Sequence, residues 1–213
     1  SKIYSRSRKA KMKKIANILT FSSLFLLILI FWPIAKGEIK YQVNKIPFSI
    51  NKTLELDKSL IPPNKDFSIV IPKIAATAPI IKNVNPFNKN EFLGSLKKGV
   101  AHANGTNLPG EEGNVYLFAH STDAFYNVSS YNAVFYLIGK LEKGDKIIVY
   151  YNDAEYVYCV TDKKTVSAED IKYLTTNTKE KILTLQTCYP PGTTFKRLIV
   201  IAKQTNWFVI DKA

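Results

Sequence analysis

From Asp66 onward, apolar residues come in short runs with a two-residue period, separated by turn-forming residues. This pattern predicts strands. The segments are Phe67–Ile74, Ala78–Lys82, Val100–Ala103, Asn114–His120, Lys146–Tyr151, Ala154–Thr161, Ile182–Cys188 and Arg197–Lys203. Pro72 inside the first run favours a sheet edge or a strand end. Two short helices are predicted among the strands. One lies around Asn90–Lys97. The other is Ser167–Leu174, where Ser167-Ala168-Glu169-Asp170 resembles a capping box with Asp in place of Glu. Eight short strands with intervening turns predict a mainly β fold, a closed or nearly closed antiparallel barrel.

Upstream the pattern changes. Residues 15–35 carry no charge, and as a helix they would span roughly 32 Å, enough for a hydrocarbon core of about 30 Å. The run is too long for a secretory leader, and Ala35 is followed directly by Lys36 rather than by a clean small-residue cleavage site. The expected organisation is therefore a basic cytoplasmic tail (1–14), a transmembrane anchor (15–35), a stalk (36–65) and a catalytic domain (66–213). The stalk ends in Pro62-Pro63-Asn64-Lys65. Thirty flexible residues have a root-mean-square span of about 30 Å, which would keep the domain close to the membrane.

The formal charge of +13 sharpens this picture. Residues 1–14 hold seven Lys or Arg and no acid, whereas residues 66–213 hold 17 basic and 14 acidic side chains. A basic tail before an apolar span stays in the cytoplasm, which puts the domain outside the cell. The nearly balanced domain has no basic run, which argues against nucleic acid as a partner.

Candidate chemistry concentrates at the last two runs. Cys188 ends one, Arg197 begins the next, and Tyr189-Pro190-Pro191-Gly192 opens the loop between them. Paired as a hairpin, the two residues face each other with Cβ atoms about 5 Å apart. An ordinary thiol is only a few per cent ionised at neutral pH, so a nucleophile needs a cation or a base beside it. The chain has two histidines. His120 closes a strand and enters a loop, as a residue at a barrel rim does. His102, inside Val100–Ala103, reads as a hydrogen-bonded structural residue. The second cysteine, Cys159, sits in an apolar strand and reads as a buried thiol. A Cys159–Cys188 disulfide is the alternative for an exported domain, although a domain of this size does not need one.

Thr184-Leu185-Gln186-Thr187-Cys188 with Arg197 resembles the T-L-x-T-C…R signature of the sortases, membrane-anchored cysteine transpeptidases of bacterial surfaces. The resemblance extends in order over about residues 66–204. Ile71-Pro72-Lys73-Ile74 with Ala78-Pro79-Ile80 looks like the family's opening strands. Gly113–His120 looks like its histidine strand, and Val134-Phe135 through Leu141 with Gly144-Asp145 like its central segment. The resemblance implies an eight-stranded sortase barrel preceded by one transmembrane helix. It also implies catalytic roles for Cys188 as nucleophile, His120 as acid and base, and Arg197 as the group holding the substrate backbone. Thr187 matches a family threonine that contacts substrate. One departure is Ala119, where the family commonly has Gly before the histidine.

The implied partners are surface proteins bearing a C-terminal sorting signal and an amine acceptor such as a cell-wall precursor, with no cofactor. Two alternatives stay open at this point: a thiol hydrolase sharing the acyl-enzyme step, and a non-catalytic surface β-barrel that binds a partner. Glu111 and Glu112 lie where some sortases bind calcium, but two adjacent acids read better as a solvated turn, since a hard cation wants six or more oxygens. No Asp-Pro-aromatic lid motif and no second apolar span are found, which argues against the pilus-building type.

Overall fold

The computed structural model describes residues 12–27, 60–121 and 134–205. They fall in two units, Ser1–Ile39 and Lys40–Ala213. In the first unit, residues 12–27 form a helix, α1. Its apolar side chains, among them Ile18, Phe21 and Phe25, are exposed. Its hydroxyls turn back onto their own backbone: Thr20 Oγ1 donates to Ala16 O (2.8 Å) and Ser23 Oγ to Thr20 O (2.9 Å). Among the described residues no helix is long and apolar enough to cross a membrane. The segment expected to do so, 15–35, continues outside the described residues beyond position 27, as does most of the stalk.

The second unit is a closed eight-stranded barrel. Its strands are β1 (Phe67–Ile71), β2 (Ala76–Val84), β3 (Val100–Ala103), β4 (Gly113–Phe118), β5 (Lys146–Tyr151), β6 (Ala154–Ser167), β7 (Lys181–Tyr189) and β8 (Lys196–Gln204). The order around the barrel is β1-β2-β3-β4-β7-β8-β6-β5, and β1 pairs with β5 to close it. Helix α2 (Lys89–Leu96) joins β2 to β3. Its N-terminus is capped by Asn88, whose side chain accepts from Glu91 N, while Glu91 Oε1 accepts from Asn85 N.

Two expectations need correction. The barrel is not purely antiparallel, because β2–β3 and β4–β7 are parallel pairs. Parallel neighbours need a crossover, and α2 supplies one for β2 and β3. The second correction concerns Ser167–Leu174, which is not a helix. β6 runs on to Ser167, and residues 163–167 pair with Lys196–Val200 of β8 after a register shift between Val160 and Asp162. Ladder bonds to β8 outweigh the local helical signal. Ser167 Oγ donates to Glu169 rather than capping a helix.

The core fills the barrel with Ile69, Ile71, Leu117, Phe135, Ile147, Leu183, Leu185 and Val200, all buried. The β5–β6 turn uses Asn152 and Asp153, both at positive φ (49° and 64°), the geometry of a two-residue hairpin. Along β4 both faces are buried. Val115 and Leu117 point inward. On the outer face, Phe118 meets Phe92 of α2 edge-on, with ring centroids 6.4 Å apart.

Candidate active site

The β7–β8 hairpin has the register read from the sequence: Cys188 pairs with Arg197. Both cysteines are free thiols, so the disulfide alternative falls. Arg197 Nη1 stands 3.8 Å from Cys188 Sγ and donates to Thr194 O (3.1 Å) and Lys196 O (3.2 Å). These two carbonyls, one in the connecting loop and one at the start of β8, hold the guanidinium at the thiol. The loop is itself tied, because Thr193 N and Oγ1 both donate to Pro190 O. Cys188 is half-buried.

The other neighbour of β7 is β4, the strand that precedes His120. The parallel β4–β7 ladder keeps one register from Gly113↔Lys181 to Phe118↔Gln186. Ala119 N then donates to Gln186 O (3.1 Å), and Thr187 Oγ1 donates to Ala119 O (2.9 Å). β4 ends at Phe118, paired with Gln186 two residues before Cys188, and His120 follows two residues beyond that end. β7 thus has Arg197 of β8 on one flank of Cys188 and β4, the strand that leads to His120, on the other. His120 is half-buried, and the loop that follows it, from residue 122, lies outside the described residues.

Thr187 points to the opposite, inner face. It is 3% exposed, and its hydroxyl is committed to the Ala119 carbonyl. His102 is fully buried and away from the thiol, paired across the sheet with Leu117. Its Nδ1 accepts from Asn83 N (3.4 Å), and Nε2 contacts Asn107 O (3.0 Å) and Thr106 Oγ1 (3.1 Å). Burial pushes this imidazole below its ordinary range, and the nearby Lys82 adds to that. The Asn107 carbonyl and Glu111 act the other way. His102 is the structural histidine the sequence suggested.

Below Cys188, on the same face of β7, lie two polar pairs that the sequence reading did not identify. Tyr116 Oη donates to Gln186 Oε1 at 2.5 Å. Thr184 Oγ1 donates to Asn114 Oδ1 (2.9 Å), and Asn114 Nδ2 donates to Tyr173 O (2.8 Å). The second pair fastens the β6–β7 loop, residues 168–180, to the barrel wall. Burial raises the Tyr116 phenol well above its usual range, Arg197 opposing and Asp170 adding. Glu169, at the start of the same loop, is held below the usual carboxylate range by the Ser167 hydroxyl and, more weakly, by the backbone and Arg197. The signal for these pairs was present as polar residues at alternate positions, 114 and 116 with 184 and 186.

Among the described residues no cluster of His, Cys, Asp or Glu has the arrangement of a metal site. Glu111 accepts a bond from Leu108 N (2.8 Å) as part of its turn.

The sortase domain model matches residues 69–205, which include all of these side chains. The chain belongs to the sortase family. It is 31% identical over 139 residues to sortase D of Bacillus subtilis (strain 168), covering 64% of this chain and 62% of that protein. It is 31% identical over 132 residues to sortase A of Bacillus anthracis, covering 62% of this chain and 56% of that protein. The chain therefore spans less than two thirds of the length of these relatives. Among solved structures, a lid mutant of sortase A from Corynebacterium diphtheriae superposes with a TM-score of 0.58 at 24% identity, over 76% of this chain and 81% of that one. The sortase fold explains the mixed barrel: the parallel β4–β7 pair is what brings two distant segments to one rim.

Proposed function

We propose that this sortase is a cysteine transpeptidase acting on a C-terminal sorting signal at the outer surface of the membrane. Cys188, as thiolate, attacks the scissile carbonyl. The C–N bond breaks, a thioester forms, and His120 as imidazolium gives its proton to the departing amine. An incoming amine then attacks the thioester and passes a proton to His120, and the Cys188 thiolate is released. Arg197 donates hydrogen bonds to the carbonyl oxygen as negative charge develops on it. In this reading Thr187 holds His120 in register. The observation that carries the reading is the position of Cys188, at the end of a strand paired with Arg197, whose Nη1 stands 3.8 Å from the thiol, and with β4, which ends two residues before His120.

Anchoring belongs to the same reading. Residues 15–35 span the membrane, the basic tail lies in the cytoplasm and the domain faces outward, supported by the uncharged run and the seven preceding basic residues. The partners are signal-bearing surface proteins and an amine acceptor such as a cell-wall precursor.

The test is mass spectrometry of the protein incubated with sorting-signal peptides, wild type against Cys188→Ala, with and without an added amine. The expected result is an acyl adduct on Cys188, absent from the variant, and an amide product that needs the amine. Hydrolysed product alone in both conditions would replace transfer by the hydrolase reading. No adduct with any peptide would leave the non-catalytic barrel.

A further inference from the structure

We infer that Gln186 selects the sorting signal by donating its side-chain amide hydrogens to an acceptor side chain within two residues upstream of the attacked carbonyl. This rests on the transpeptidase reading and deepens it. Gln186 and Cys188 lie two residues apart on one face of β7, about 7 Å along the strand. That is the length of two residues of extended peptide. Both are half-buried, whereas Thr184, next on the same face, is 1% exposed. The open floor beneath a bound peptide therefore ends at Gln186.

The direction of the peptide follows from the reaction. The acyl portion must stay bound through both half-reactions, while the leaving peptide departs and the amine enters. The retained part suits the walled side, where Asn114 ties Tyr173 of the β6–β7 loop to the barrel. Exchange suits the other side, where Tyr189 at the end of β7 and Phe195 in the β7–β8 loop are exposed. The acyl portion then lies over Gln186.

The polarity of the contact is set by Tyr116. Its buried phenol stays protonated, because burial raises it above its usual range, and it donates to Gln186 Oε1 at 2.5 Å. The acceptor end of the amide is thereby occupied, and the two hydrogens on Nε2 point away from Tyr116. They match a side-chain carbonyl or carboxylate and leave an apolar side chain unpaired against an amide. A site built to hydrogen-bond discriminates strongly against an analogue that cannot do so.

The experiment uses the full chain and two peptide series, varied one and two residues before the scissile bond, each with Asn, Leu or Lys at the varied position. Both kcat/KM and the acyl adduct on Cys188 are read. Wild type is expected to favour Asn over Leu by about tenfold at one of the two positions. Gln186→Leu should bring that ratio close to one, and Gln186→Glu should shift preference toward Lys. Tyr116→Phe, which frees the amide to turn over, should shrink the Asn preference. An undiminished Asn-to-Leu ratio in Gln186→Leu, or no preference in wild type at either position, would overturn the inference. If those results come with adducts on Cys188, the transpeptidase reading stands and only this assignment fails. If no peptide gives an adduct in wild type, it is the reaction itself that fails.

Discussion

Replacing Thr187 with Val separates two roles for the residue beside the nucleophile. The family resemblance implies contact with substrate, while the structure commits its hydroxyl to the Ala119 carbonyl at 2.9 Å from a site 3% exposed. Val keeps the shape and removes only the donor. The loss comprises about 1 kcal/mol for a net hydrogen bond and a further penalty of roughly 1–2 kcal/mol for a buried carbonyl left short of a partner. A total of about 2–3 kcal/mol corresponds to a fall in Tm of roughly 4–12 °C for a domain of this size. The same bond holds the end of β4 one residue before His120. Releasing it should lower kcat by about tenfold or more, since misplacing a catalytic group by an ångström can cost a hundredfold.

Thermal unfolding and steady-state kinetics on the same preparations test this, with Thr187→Ser as the rescue. Ser keeps the hydroxyl and should recover most of both losses. If Thr187→Val leaves Tm within about 1 °C of wild type and raises KM instead, the hydroxyl serves the substrate and the fastening argument is wrong.

Other expectations follow from the same geometry. His102 is favoured as the neutral form by burial, so its folded pKa lies below the ordinary value of 6.5. Its contribution to stability is complete above about 6.5 and fades as the pH falls below that value toward its folded pKa. An NMR titration should show the His102 ring still neutral where an ordinary histidine has protonated, and titration at 6.5 or above would contradict the burial argument. Asn114→Leu strands the Thr184 hydroxyl and the Tyr173 carbonyl. It should cost about 2–4 kcal/mol and speed proteolysis within residues 168–180, and an unchanged cleavage pattern would mean that the loop is held by other contacts. Gly113→Ala should destabilise by about 2 kcal/mol or more, seen as a lower denaturant midpoint. The backbone there has φ +125°, and a Cβ would sit 2.1 Å from Asn107 Oδ1.

Most of the barrel was legible because the strand signals are local. Val100–Ala103 and Lys146–Tyr151 were read to the residue, and the others to within a few positions except β6. The Cys188–Arg197 pairing was legible too, since a hairpin is a local structure whose loop announces itself through Pro190, Pro191 and Gly192. The end of β6 was not. Asp162, Lys163 and Lys164 are charged and read as loop, yet a strand with one face in solvent tolerates charges there once β8 supplies the ladder. The neighbourhood of β4, which leads to His120, and β7, which carries Cys188, was beyond periodicity altogether. It depends on a parallel pairing between segments almost 70 residues apart, and only the resemblance pointed to it.

That distant pairing is nevertheless held by ordinary core energetics. The β4–β7 register sets Val115 against Leu183 and Leu117 against Leu185, all buried in the barrel. Side chains alternate along a strand, so a slip of one residue would turn Leu183 and Leu185 out of the core and Thr184 and Gln186 into it. Each exposed leucine would cost roughly 2–3 kcal/mol, and each buried polar side chain would lose its partner. The same slip would turn Cys188 to the other side of the sheet. The register that buries two leucines is therefore the register that sets Cys188, Gln186 and Thr184 on the opposite face from them. The Thr187–Ala119 bond, Tyr116–Gln186 and Asn114–Thr184 are the polar contacts that only this register satisfies.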